Sequence, residues 1–199
     1  MTDLYSKLAM AITENLINKK IVCEDKIDIY AYGFEIMISY FCYFAIAIII
    51  SIVTCTFFES LFFLAGFVLI RKSAGGYHAS TYLKCHILFS LNHIVFIVLH
   101  NYFLINIYYF MVLFTPLITL ISILCFAPID HENKPFTPNE YLKFKRKSRI
   151  SSIIVLCVAM IFGFIPQIKS LLFGFLFGVL SAIVSLIVAH IIKKCKTLS

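Results

Sequence analysis

Long apolar runs recur along this 199-residue chain, at about 36–56, 60–76, 86–104, 107–126, 151–168 and 171–192. A membrane-spanning helix needs about 20 mostly apolar residues. Inside a bilayer only helices and closed barrels satisfy their own backbone hydrogen bonds. The runs therefore predict an all-α fold: a polytopic integral membrane helical bundle of about six membrane segments, forming a single membrane domain over 1–199. Composition agrees. The chain is 61% hydrophobic and only 14% charged, where a soluble domain carries about 25%, and its mean hydropathy is +0.96. Little chain is left for an extramembrane domain, and there is no P-loop glycine pattern. That argues against a sensor kinase or an ATPase.

The second run is short. Its strongly apolar part, Leu61 to Ile70, is followed at once by Ser73 to Gly76. It reads either as a re-entrant or half-spanning segment or as a full, tilted helix extended through Tyr77. Residues 1–30 read as an amphipathic N-terminal helix, because Leu4, Leu8, Ala11, Ile12 and Leu16 recur at helical spacing. Such a helix lies on the membrane surface or packs on the bundle. Its scattered charges, without a compact apolar core, do not make a signal peptide.

Basic residues orient a membrane chain, because cytoplasmic connections are enriched in Lys and Arg. Arg71, Lys72 and Lys84 lie in the 71–85 segment. Lys134, Lys143, Lys145, Arg146, Lys147 and Arg149 lie in a 127–150 loop, and Lys193, Lys194 and Lys196 lie in the tail. The connections expected at Thr56 to Ser60, Asn101 to Asn106 and Pro166 to Ser170 carry almost none. Both termini, the 71–85 segment and the basic loop are thus expected in the cytosol. The net charge of +7 follows from this topology and does not call for a nucleic-acid partner. The run Lys143, Lys145, Arg146, Lys147 and Arg149 is by default an anchor on anionic lipid, and secondly a clamp for an acidic peptide.

The 71–85 segment carries the chemistry. It sets Arg71, Gly75, Gly76, His78 and Cys85 between apolar runs. A cysteine nucleophile needs a base, and histidine suits that task near neutral pH. Seven residues of straight helix would separate His78 from Cys85 by roughly 10 Å, so a working pair requires a bend or a helix start between them. The glycines make a reversal plausible. In the first turn of the following helix, Cys85 would have the helix dipole and Lys84 to favour its thiolate. The bland alternative is one surface histidine and one buried cysteine. A third group is left open among Asn92, Asp130, Glu132 and Asn133. The seven cysteines are scattered, with no CxxC pair, so neither a disulfide framework nor a zinc site is expected, and no cofactor is called for. His86, His93 and His100 repeat every seven residues. They suit polar packing between helices, or, in a different class of function, a small transporter or ion-conducting bundle.

Arg71-Lys72, Gly75-Gly76, His78 and Cys85, followed by Ala127-Pro128 and Asn133-Lys134-Pro135 before a basic run, resemble the accessory gene regulator B (AgrB) family. The resemblance extends to length, amphipathic start and number of apolar segments. It implies a bacterial cell-membrane cysteine endopeptidase that matures the propeptide of a quorum-sensing autoinducer. By that resemblance His78 is the base and Cys85 the nucleophile, and Arg71, Gly75 and Gly76 shape the site. Lys143, Lys145, Arg146 and Lys147 would meet the acidic tail of the propeptide. The implied product is a thiolactone or lactone ring. The implied partners are the propeptide and the bilayer, with a homodimer allowed.

Overall fold

The computed structural model describes residues 4–77, 79, 81–130 and 136–198. Helices α1 (Leu4–Asn18), α2 (Ile27–Val53), α3 (Phe57–Ala74), α4 (Tyr82–Phe126), α5 (Pro138–Phe162) and α6 (Lys169–Leu198) make up nearly all of it, with 3₁₀ turns at Glu24–Lys26 and Pro166–Ile168. No strand occurs among the described residues. The chain is a helical membrane bundle. Three of its helical stretches are long and apolar enough to cross a bilayer: Glu24–Val53, Leu83–Phe126 and Pro166–Lys196.

One expected boundary holds with a difference, and another is corrected. Helix α4 stays helical for 45 residues, yet it reverses direction at the connection expected at Asn101 to Asn106: Asn92 meets Ser181 and His100 meets Ser170 on the way out, while Tyr109 meets Lys169 and Phe126 meets His190 on the way back. The 127–150 stretch is not a loop throughout, since α5 begins at Pro138. Thr137 accepts from the Glu140 amide, the Glu140 carboxylate accepts from the Thr137 amide, and Pro138 opens the first turn. This capping box starts a helix on polar sequence. The basic run is thereby a helical surface. Helix α3 has 18 residues, about 27 Å of axis, and it ends at Ala74 just before the glycines.

Contacts divide the chain into two compact units, Met1–Ile50 with Ala79–Ser90, and Ser51–His78 with Leu91–Ser199. In the first, Ser6 Oγ donates to Glu35 Oε1 at 2.7 Å and ties α1 to α2. Helix α1 buries Ala9 and Thr13, while Leu4, Leu8 and Ile12 stay exposed. The apolar stripe read from the sequence is thus available to lipid, and the small residues make the protein contact. The start of α4 adds His86, buried beside the rings of Tyr5 and Tyr43.

The second unit is organised by α6 against α3. A Cβ on Gly66 would lie 2.1 Å from the Phe175 carbonyl oxygen, one on Gly174 2.3 Å from that of Glu59, and one on Gly178 2.0 Å from that of Phe63. Small residues let membrane helices approach this closely, and dispersion and short polar contacts then hold them. Phe63, Phe96, Phe173 and Leu176 fill the core beside them. Polar pairs pin the helices. Ser73 meets Ser151 at 3.1 Å, linking α3 to α5, and Ser181 Oγ donates to Asn92 at 2.8 Å, linking α6 to α4. His93 Nε2 lies 2.9 Å from Ser60 Oγ. His100 Nε2 lies 2.6 Å from Ser170 Oγ, which donates to Glu59. His93 and His100 therefore act as interhelical tethers, each to a serine on another helix.

Candidate active site

Helix α3 ends by turning its chain sharply. Gly75 adopts φ +82° and donates its N–H back to the Arg71 carbonyl at 3.1 Å, and Gly76 follows at φ +148°. Only glycine takes both conformations without strain. Space excludes a side chain as well: a Cβ on Gly75 would lie 2.3 Å from the Ile129 carbonyl oxygen, and one on Gly76 2.1 Å from the Arg71 guanidinium. The Ile129 N–H donates to the Ala74 carbonyl at 3.0 Å. The Ala127-Pro128 signature, which includes a cis peptide bond, therefore leads directly into the residue that packs on the glycine turn.

Arg71 closes the turn from inside. Its guanidinium donates to the Tyr77 carbonyl and to Ser185 Oγ on α6. The Tyr77 N–H in turn donates to the Ser185 carbonyl at 3.0 Å and to Ser185 Oγ at 3.1 Å. Arg71, Gly75 and Gly76 are thus brought together. Ser185 and Ile129 were not anticipated. The available signal was a set of serines, Ser170, Ser181 and Ser185, in or beside the long apolar run of α6.

His78 follows Tyr77 and lies outside the described residues, as do Glu132 and Asn133. Cys85 is the fourth residue of α4 and is half-buried. The helix is capped just before it. Thr81 Oγ1 accepts from the Lys84 N–H at 3.3 Å, and the Thr81 carbonyl accepts from the Cys85 N–H at 3.2 Å. The thiol accordingly sits at the positive end of a helix dipole, where anions are favoured. Among the seven cysteines only Cys42 shares its half-buried setting, and the other five are exposed.

Two candidates for a third group are engaged elsewhere. Asn92 accepts from Ser181. Asp130 pairs with Lys193. That hydrogen bond holds the Asp130 carboxyl below its ordinary range, with partial burial opposing it. Lys143, Lys145, Arg146 and Lys147 occupy the first half of α5, where Lys145 lies over the Tyr141 ring and Lys147 over Phe144. Beside them an open cavity of about 500 Å³ is lined by Pro128, Asp130, Phe136, Pro138, Tyr141 and Leu142. Among the described residues no cluster of side chains could hold a metal ion.

Comparison with known protein families matches residues 6–195 to Accessory gene regulator B. The chain belongs to the AgrB family. Related proteins include an AgrB-like protein of Listeria innocua serovar 6a, 29% identical over 142 residues, which are 71% of this chain and 68% of the relative. An AgrB-like protein of Listeria monocytogenes serotype 4a is 28% identical over the same shares. No solved structure matches the chain. AgrB membership places the protein in accessory gene regulator peptide processing, at the membrane.

Proposed function

We propose that this AgrB protein is a membrane cysteine endopeptidase that cuts an autoinducer propeptide near its carboxyl end and passes the acyl group on to ring closure. The observation that carries the reading is Cys85 in the capped first turn of α4, following a glycine turn that delivers the chain to His78. His78 takes the Cys85 proton, and the thiolate attacks the scissile carbonyl. Backbone amides at the start of α4 are candidate donors to the oxyanion. The tetrahedral adduct collapses with cleavage of the C–N bond, and His78 returns the proton to the departing amine of the C-terminal tail. An acyl thioester stays on Cys85. An internal cysteine or serine of the peptide then attacks it, losing its proton as the Cys85 thiol is restored, and closes a thiolactone or lactone. No ATP is needed, because the thioester keeps the carbonyl activated.

The basic face of α5 serves this reaction by holding the acidic tail. The site, the α5 face and both termini lie on the cytosolic side of a bacterial cell membrane. Orientation rests on the basic clusters themselves. In support, Ile129 meets the glycine turn and Asp130 meets Lys193, so the end of α3, residues 127–130 and the basic tail share one end of their unit.

The test is a substitution series with a propeptide substrate. Cys85→Ala should abolish cleavage while the protein still accumulates in the membrane. Cys85→Ser should be nearly inactive, because a hydroxyl is far harder to deprotonate than a thiol. His78→Ala should cost about 10²–10⁴-fold, the usual worth of a general base. Cleavage by Cys85→Ala would end the cysteine-protease reading.

A further inference from the structure

We propose that Ser185 is a positioning residue for this reaction: with Arg71 it clamps the backbone of Tyr77 and so sets the chain that enters His78. The inference rests on the Cys85–His78 reading above.

The chain leaving α3 passes through two glycines at positive φ, and glycine has the widest backbone freedom of any residue. A base carried beyond such a joint needs its approach fixed by something other than local sequence. Tyr77 is where that happens. Its N–H has two acceptors, the carbonyl and the hydroxyl of Ser185. Its carbonyl, whose carbon is bonded to the His78 nitrogen, accepts from Arg71. Both polar groups of this residue's backbone are thus committed. The Ser185 hydroxyl also accepts from the second arm of the Arg71 guanidinium, so a single oxygen organises the arginine and the peptide together. The support behind it is rigid, because α6 lies against α3 at the Gly174 and Gly178 contacts. Displacing a catalytic group by about 1 Å can cost on the order of 10² in rate. One of the two acceptors for the Tyr77 N–H, the Ser185 carbonyl, survives loss of the hydroxyl. Ser185→Ala should therefore give about a tenfold effect, short of that full loss. It should not weaken the helix, since alanine is the better helix former.

The test uses the full chain in detergent and iodoacetamide as the probe, with alkylation of each cysteine followed by mass spectrometry at neutral pH. Ser185→Ala should slow Cys85 alkylation about tenfold, toward the His78→Ala level. Ser185→Thr, which keeps the hydroxyl, should restore it. The melting temperature and the alkylation of Cys42 should match the native protein. A native Cys85 rate in Ser185→Ala, alongside a slow His78→Ala, would overturn the clamp and leave the protease reading standing. A slow Ser185→Thr would equally overturn the role given to the hydroxyl. A lowered melting temperature with faster Cys42 alkylation would make Ser185 a purely structural residue, against the proposal. A native rate in His78→Ala would instead remove the Cys–His pair on which the inference is built.

Discussion

Gly178→Ala tests whether α6 and α3 approach as closely as the site requires. The added methyl would lie 2.0 Å from the Phe63 carbonyl oxygen and 2.9 Å from the Phe67 nitrogen, where ordinary contact begins near 3.4 Å. Both atoms belong to helix backbone, so no side chain can rotate aside. The helices must part by about 1.4 Å locally, or the methyl stays compressed. Overpacking of this kind costs about 1–3 kcal/mol. The consequence reaches the site, since Ser185 lies seven residues further along α6, two turns on and on the same face. Its bonds to the Tyr77 N–H are 3.0 and 3.1 Å long, and a parting of even half that size would break good geometry. Stability should be read by unfolding in mixed micelles with circular dichroism, and function by propeptide cleavage. The control is Gly33→Ala in α2, where nothing lies within 4 Å of the new methyl. That change should be neutral or stabilising by up to about 1 kcal/mol, because alanine favours the helix. If Gly178→Ala is as stable and as active as Gly33→Ala, the close α3–α6 contact is wrong.

Replacing Lys143, Lys145, Arg146 and Lys147 with Gln should weaken propeptide cleavage and flatten its dependence on salt, because exposed charge attraction is screened by ions; unchanged cleavage by a well-expressed variant would leave the α5 face as a lipid anchor alone. In intact cells, cysteines placed at Lys72 and Lys145 in a background lacking the exposed native cysteines should resist an impermeant external thiol reagent. Labelling of either position would reverse the cytosolic orientation.

The bilayer makes the class of fold legible from the amino-acid sequence alone. Apolar runs of this length have one outcome in lipid, since every backbone polar group must be satisfied within its own helix. The segment from Arg71 to Cys85 stands out for the same reason: polar and glycine residues beside apolar runs are costly unless they do something. Tertiary structure decides what hydropathy does not encode. Lipid and protein interior are equally apolar, so the pattern could not tell that Leu4 and Leu8 stay exposed while Ala9 and Thr13 make the contact. Nor does it show that α4 stays helical while it reverses through Asn101–Asn106. It carries no sign that Asn92 and Asp130 bind Ser181 and Lys193. The clamp on Tyr77 joins Arg71 to Ser185, 114 residues away. Local periodicity reports which face of a helix is apolar; it carries no information on which distant helix will come to lie against it, because that depends on how glycine surfaces and polar pairs fit in three dimensions.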